Sequence, residues 1–99
     1  MRIVHVVNFF LPDTLAGIEN YVFQLAKKLK NAGEEIYVVR PDYWGRVSYQ
    51  IDDIPVIYYE ESRTTNRALI QGFEPSSGVA NFKKTLKSIN PDIVHFHEL

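Results

Sequence analysis

Three imidazole side chains are the groups in this sequence best suited to chemistry. His95 and His97 lie two positions apart in the segment PDIVHFHEL, and Glu98 follows them. Alternate side chains of a β-strand share a face, so the two histidines point to one side while Glu98 points to the other. If the strand that holds His5 is a neighbour, three imidazoles come close together, a set that could in principle bind zinc.

A metal ion is nevertheless not the interpretation that we favour for these histidines. Two histidines at this spacing commonly occur without a metal, and no acidic ligand is placed with them. We therefore predict no metal ion. The plainer hypothesis makes His95 a core histidine that is hydrogen-bonded to the backbone. For His97, at the carboxyl end of the strand, a structural role and a ligand-facing role both stay open.

The loop that ends at Gly17 is the second place where a ligand could bind. In a doubly wound sheet, ligands lie at the carboxyl ends of strands, and the free N–H groups of a helix N-terminus attract anions. The dinucleotide fingerprint GxGxxG and the phosphate loop GxxxxGK[ST] are both absent, so a plain turn glycine is the alternative. Glu19, early in the following helix, is either a substrate-binding residue or a carboxylate that suits the positive helix end.

A predicted βαβ unit at the start of the chain positions these residues. Residues 2 to 10 form a nearly continuous apolar run, which is typical of a parallel strand covered on both faces. The helix that follows ends near Asn31, with Gly33 in its cap. Residues 35 to 40 form the next strand, which Pro41 ends, and the crossover should be right-handed. The buried helix face is predicted to hold Ile18, Tyr21, Val22, Leu25, Ala26 and Leu29.

The middle of the chain predicts a hairpin. Apolar residues alternate with polar ones on both sides of Asp52 and Asp53, which can make a tight turn. This pattern indicates a hairpin over residues 46 to 60. Residues 61 to 76 mix polar residues with a short apolar patch and fit either a loop or a short helix.

The last part of the chain predicts one more helix and one more strand. The helix begins at Ser77 and is stopped by Asn90 and Pro91. Residues 93 to 97 then form a buried strand. The inner face of the helix is predicted to hold Val79, Phe82, Leu86 and Ile89.

Composition limits the chain to one folded domain that does not bind nucleic acid. The 99 residues are 45% hydrophobic and 23% charged, ordinary values for a globular chain, and the net charge of -1 gives no basic field for nucleic acid. The lack of cysteine excludes disulfides and fits a cytoplasmic location. Lys83, Lys84 and Lys87 fit a solvated helix face, with peripheral contact at the inner membrane surface as the alternative.

Three segments, in this order, resemble a known family. The chain resembles the opening of GT-B glycosyltransferases of the family 4 type over MRIVHVVNFFLPDTLAGIENYVFQLAKKLKNAGEEIYVVRP. A variable family stretch, in which a turn precedes a strand, is similar to YQIDDIPVIYY. A later family segment, in which Pro-Asp leads a strand ending in His-x-His, is similar to SINPDIVHFHEL. The resemblance covers most of the chain and is weakest over residues 61 to 76.

The resemblance implies two Rossmann-like domains that face a cleft. This chain would supply part of the N-terminal, acceptor-side domain, and the C-terminal donor domain would be its partner in the full-length chain. The implied reaction transfers a sugar from a nucleotide-sugar donor to a saccharide or lipid-linked acceptor, with retention, as in polysaccharide biosynthesis. The donor is a substrate, and no cofactor is implied. We expect the fragment alone to be inactive.

The resemblance also implies which residues bind substrate. Ala16 and Gly17 match the family's glycine pair, whose backbone lies near the donor phosphates or the transferred sugar. The first glycine is alanine here, which argues against a very close phosphate approach. His97 and Glu98 match residues near the cleft rim, and Glu19 completes the candidate set. No catalytic residue is assigned, because the family's better-known active-site histidine follows the next strand, beyond the last residue of this sequence.

We therefore predict an α/β fold, a Rossmann-like three-layer sandwich with a mainly parallel sheet. The predicted strand order is hairpin strand, second strand, first strand, last strand, with a ligand cleft at the carboxyl ends of the first and last strands. The last strand would leave an unpaired edge, so we expect the fragment to self-associate. The alternative function, from a different class, is a non-catalytic Rossmann-like binding module that is complete at 99 residues.

Overall fold

The computed structural model of the chain describes residues 1–8, 10–11, 17–42, 44–61 and 77–97. The predictions made for Ala16, Glu98 and residues 62–76 lie outside the described residues. Within the described ranges the elements are β1 (Arg2–Val6), α1 (Gly17–Asn31), β2 (Glu35–Asp42), β3 (Tyr49–Ile51), β4 (Ile54–Glu60), α2 (Ser77–Ile89) and β5 (Ile93–Phe96).

The strands form one sheet in the order β3-β4-β2-β1-β5. β1 pairs in parallel with β2 on one side and with β5 on the other, and β2 pairs in parallel with β4. Of these strands only the short β3 runs antiparallel, against β4. The predicted α/β class, mainly parallel sheet and strand order are therefore confirmed.

Apolar side chains cover both faces of the sheet, so the molecule is a three-layer sandwich. One face and α1 share the buried residues Ile3, Val7, Phe10, Val22, Ala26, Ile36, Val38, Ile54 and Val56. The other face and α2 share Val4, Val6, Val39 and Ile89, with Phe82 and Leu86 partly buried. Each fully buried aliphatic side chain contributes roughly 1.5–3 kcal/mol, so these clusters hold the layers together. Neither of the two described helices is long and apolar enough to cross a membrane.

α1 ends at Asn31, as predicted, because Gly33 caps it. Gly33 has a φ of 96°, a left-handed conformation that other residues disfavour. Glu34 N donates to Leu29 O at 3.1 Å, and Gly33 N donates to Lys30 O at 3.0 Å. These are the paired bonds of a Schellman cap, and they turn the chain directly into β2.

The predicted hairpin is confirmed, with a two-residue turn between β3 and β4. Asp52 and Asp53 have φ values of 49° and 63°. Two positive φ values are what a type I′ turn requires, and Asp tolerates them better than most residues. Lys30 Nζ donates to Asp53 O at 2.6 Å. The turn fixes the register of the hairpin, with Ile51 opposite Ile54.

Two predicted strand ends are wrong: β1 stops at Val6 and does not continue to residue 10, and β2 does not stop before Pro41 but continues to Asp42. Val7 N donates to Val39 O at 3.1 Å, which shows that odd-numbered residues of β2 direct their backbone groups toward β1. The nitrogen of Pro41 therefore points to the side where β1 has already ended, at Val6. Proline removes only the bond that would come next, to Val7 O, just past the end of β1.

Two residues of the predicted buried face of α1 are exposed. Ile18 is 46% exposed and Tyr21 is 61% exposed, whereas Glu19, Val22 and Ala26 are buried. Successive helical positions differ by about 100° around the helix axis. At the start of α1 the buried position is therefore Glu19 and not the neighbouring Ile18. The prediction fails here because helical spacing alone does not separate two adjacent lines of apolar residues.

β5 is not the buried strand that its apolar residues predict. Ile93 is 43% exposed and Phe96 is 49% exposed. The reason is topological: within the described ranges β5 pairs with β1 alone and forms an edge of the sheet. Val79, predicted on the inner face of α2, is 43% exposed as well. The self-association expected from such an edge stays a prediction.

Polar contacts join the strands at their amino ends. Arg2 Nε lies 2.5 Å from Glu35 Oε2 at the start of β2. Arg2 Nη1 donates to Ile89 O at 3.0 Å, and Arg2 N donates to the Asp92 carboxylate at 2.8 Å. Since the arginine and glutamate side chains are about half exposed, their ion pair adds little stability. The contacts nevertheless set the amino ends of β1, β2 and β5 side by side.

Candidate functional site

The register of β1 and β5 brings the predicted histidines together. His5 lies directly opposite His95 in the parallel pair. His97 N donates to Val6 O at 3.1 Å and continues the pairing past the end of β5. Strand alternation then puts all three imidazoles on the α1 side of the sheet, since Val6 packs on the α2 side. The predicted proximity of His5 to the other two histidines is confirmed.

The three imidazole rings form a contiguous cluster. His5 Nδ1 lies 2.8 Å from His97 Nε2, so one of these two nitrogens carries the proton that both share. The ring centroids of His95 and His97 are 4.0 Å apart, and those of His5 and His97 are 4.9 Å apart. Phe96, between the two β5 histidines, points to the other face, where its ring centroid lies 6.0 Å from that of Phe82. The predicted shared face of His95 and His97 is therefore confirmed, whereas the predicted direction of Glu98 lies outside the described residues.

Burial differs sharply across the cluster. His5 is 1% exposed, His97 is half-buried and His95 is exposed. The hypothesis that His95 is the core histidine is wrong, because β5 lies at an edge of the described sheet. His5 is the core histidine instead, since β1 has a strand on each side.

The environment keeps the inner imidazole neutral. Burial, and then the neighbouring His97 and His95, lower the pKa of His5 to about 4. Burial, and then His95, also lower the pKa of His97. A neutral imidazole has one nitrogen that donates and one that accepts. Among the described residues, Nε2 of His5 has no hydrogen-bond partner although it is buried.

The N-terminus of α1 lies at the same edge of the sheet as the carboxyl end of β1, because α1 connects two parallel strands. Gly17 opens α1 and is exposed. A Cβ built on Gly17 would meet no described atom within 4 Å. Glu19, in the first turn, is only 5% exposed. Whether Glu19 binds substrate or complements the helix dipole stays a prediction, as does ligand binding at Gly17.

Sequence reasoning missed a buried polar group at the carboxyl end of β2. Asp42 is 3% exposed. Its carboxylate accepts from Arg46 N at 2.7 Å, from Arg46 Nε at 2.9 Å and from Trp44 N at 3.3 Å. Burial alone would raise the pKa of Asp42, but the hydrogen bonds from Arg46 and Trp44, together with the Arg46 charge, outweigh it and the pKa is lowered.

Arg40 belongs to the same polar group. It is 2% exposed, its Nη1 lies 3.2 Å from the Tyr49 hydroxyl, and its guanidinium lies 5.2 Å from the centroid of the Tyr58 ring. The hydroxyl of Tyr49 in turn donates to Leu11 O. The available signal in the sequence is a charged residue on each side of Pro41, directly after an apolar parallel strand. Ending the predicted strand before Pro41 hid that signal.

A comparison with protein families decides the class of the chain. The model of Glycosyltransferase Family 4 matches residues 15–99. The chain belongs to this family. Membership confirms the resemblance seen in the sequence and supports a glycosyltransferase-type function in general. The matched range includes Gly17, the β5 histidines and the buried group around Asp42. No match was found among curated proteins or solved structures.

Replacing Asp42 with Asn tests the buried polar group through its pH dependence. The pKa of Asp42 is lowered from 3.8, so the unfolded chain takes up this proton first as the pH falls. The contribution of Asp42 is therefore present above that value and is lost as the pH falls through the lower, folded pKa. At neutral pH we expect Asp42→Asn to reduce the free energy of unfolding by about 1–3 kcal/mol.

The free energies of unfolding of wild type and Asp42→Asn are measured by urea unfolding from neutral pH down to about pH 3. The difference in unfolding free energy between wild type and Asp42→Asn should shrink as the pH falls. Asp53→Asn, in the exposed turn, removes one charge at a position that Asn tolerates and serves as the matched control. A difference for Asp42→Asn that stays constant over this range would contradict the account of Asp42.

Proposed function

We propose that this chain forms the acceptor-side part of an enzyme that transfers a sugar from a nucleotide-sugar donor to a saccharide or lipid-linked acceptor. The observation that carries the proposal is the Glycosyltransferase Family 4 match over residues 15–99. The geometry agrees with it, since the histidine cluster and the N-terminus of α1 lie at the carboxyl edge of a parallel sheet. Ligands of doubly wound sheets bind at this edge.

Gly17 is the residue that we assign to the charged part of the donor. The first N–H groups of α1 have no intrahelical partners, and the positive end of the helix dipole favours anions. Because no described atom would meet a Cβ at Gly17 within 4 Å, a ligand can approach its backbone closely. Ala16, directly before it, and Glu19, in the same turn, complete this part of the proposed site.

His97 is the residue that we assign to hydroxyl groups of the sugar or the acceptor. It is half-buried, and its Nε2 faces His5 Nδ1 at 2.8 Å. That contact orients the ring, so the other ring nitrogen, Nδ1, is the atom assigned to substrate. Glu98 follows in sequence and is included in the same proposal.

The remaining chemistry is assigned to a second, donor-binding domain in the full-length chain. When the bond between sugar and nucleotide breaks, negative charge develops on the leaving diphosphate. Helix N-termini and basic side chains that are already in place stabilise this charge more than water can. The proposal includes retention of configuration at the transferred sugar and needs no cofactor.

Turnover of nucleotide-sugars by the full-length protein and by residues 1–99 tests the proposal. The full-length protein should consume at least one UDP- or GDP-sugar, whereas residues 1–99 should show no turnover, because donor and acceptor are not held together. Product analysis of the glycosidic linkage would report retention. A full-length protein that binds a saccharide but turns over none of these donors would favour the non-catalytic binding module.

Replacing Gly17 with Val in the full-length enzyme tests the assignment of the α1 N-terminus. A branched side chain would occupy proposed ligand space that no described atom fills. We expect kcat/KM to fall roughly 10- to 100-fold, since small displacements of bound groups have effects of this size. The melting temperature should stay close to that of wild type.

Asn20→Val is the matched control, because Asn20 is exposed in the same turn of α1. It introduces the same branched residue without touching the proposed ligand space, so its kinetics should stay near those of wild type. Equal turnover in Gly17→Val and wild type would show that Gly17 is a turn glycine and does not bind the donor.

A further inference from the structure

The sequence contains three histidines, and the structure places all of them in one cluster. His5, His95 and His97 each offer one ring nitrogen, and these nitrogens lie within 4.8 Å of one another. We propose that this cluster is a binding site for a divalent first-row transition metal ion, for which Zn²⁺ is the probe. The site goes beyond the proposed sugar transfer and does not rest on it.

The geometry is close to that of a three-histidine metal site. Imidazole nitrogens bind Zn²⁺ at about 2.0–2.1 Å, and a tetrahedral ion holds its ligand nitrogens about 3.3 Å apart. His5 Nδ1 and His97 Nε2 are already 2.8 Å apart. His95 is exposed and can rotate toward them. The backbone needs no change, because the pairing of β1 with β5 sets the three positions.

The second nitrogen of the His5 ring lies outside the proposed coordination. Nε2 of His5 is buried and has no hydrogen-bond partner in the described part of the chain. Buried polar atoms are nearly always satisfied by protein, water or an ion. Because Nδ1 faces His97, an ion bound there would leave Nε2 as the N–H of the neutral imidazole, so Nε2 is not one of the ligands.

The chemistry of the ligands selects the class of ion. Imidazole suits Zn²⁺, Cu²⁺ and Ni²⁺, whereas Mg²⁺ and Ca²⁺ prefer oxygen ligands. The sequence alone argued against a metal, because a histidine pair at this spacing is common without one. The register of β1 and β5 brings a third imidazole, that of His5, close to this pair, and a set of three histidines favours a metal site.

Three protein ligands leave one coordination position for water or an anion. The ion would tie the buried β1 to the exposed β5, two strands that are 90 residues apart in sequence between His5 and His95. Binding to the folded state alone stabilises a protein by mass action. The function that we assign to this ion is therefore to hold β5 against β1, and no step of sugar transfer is assigned to it.

Metal titration of the chelator-treated 99-residue chain tests the proposal directly, because its sequence offers no other histidine and no cysteine. Calorimetry should show one equivalent of Zn²⁺, and Co²⁺ should give the visible absorption bands of a tetrahedral site. Zn²⁺ should raise the melting temperature, whereas Mg²⁺ should not. Absence of both Zn²⁺ binding and Co²⁺ absorption would overturn the proposal and leave a hydrogen-bonded imidazole cluster.

Variants on the two faces of β5 separate ligation from general destabilisation. His95→Ala removes an exposed ligand, so the fold should be kept and the Zn²⁺ affinity should fall by more than the roughly 10- to 100-fold typical of losing a second-shell partner. Phe96→Ala, between the two histidines on the opposite face, is the matched control and should retain most of the affinity. Equal affinity in His95→Ala and wild type, or equal losses in both variants, would contradict the site.

Discussion

The parallel pairing of β1 with a strand on each side is the constraint on which the rest of the molecule depends. Ile3 lies opposite both Ile36 of β2 and Ile93 of β5. Because side chains alternate, a slip of one residue would turn every side chain of β1 to the other face. Val4 and Val6 would leave the α2 cluster, and His5 would leave the face of His97. Packing of the core thus fixes the register of β1, and this register places the three histidines together.

The same constraint gives the two edges of the sheet different chemistry. At the amino edge, Arg2 joins β1 to β2 and to the turn before β5 through exposed contacts. At the carboxyl edge lie buried or half-buried polar groups: the imidazoles of His5 and His97, and the carboxylate of Asp42. Burial keeps His5 neutral and lowers the pKa of His97, while hydrogen bonds keep the pKa of Asp42 low. Near neutral pH this edge therefore holds a neutral imidazole at His5 and a charged carboxylate at Asp42.

Most of the architecture could be predicted from the sequence, because local rules act alone at the decisive positions. Gly33 ends α1 whatever surrounds it, and Asp52-Asp53 between alternating apolar residues makes a hairpin turn. Period-two spacing places His95 and His97 on one face in any sheet. Family resemblance added a glycosyltransferase-type function in general, since no single motif in the chain specifies a reaction.

What the sequence did not predict depends on neighbours that no local pattern records. His5 is buried because β1 is a central strand, and His95 is exposed because β5 lies at an edge of the described sheet. Pro41 is tolerated in β2 because β1 has already ended beside it. Tyr21 looks like a core residue until the rotation of α1 is known. The burial of Arg40 and Asp42 is of the same kind, since it depends on Tyr49, Arg46 and Tyr58 from a later part of the chain.

The central claim is that the register of β1 and β5 assembles the three histidines at the carboxyl edge with His5 innermost. Nuclear Overhauser effects between imidazole ring protons test this claim most directly, because the chain contains these three histidines and the ring signals can be assigned one by one. The account predicts contacts from the His5 ring to both His97 and His95, with the His5 ring slowest to exchange with solvent and neutral near pH 7. Contacts that pair His5 with neither ring, or a His5 ring as accessible to solvent as His95, would show a different register and contradict the account.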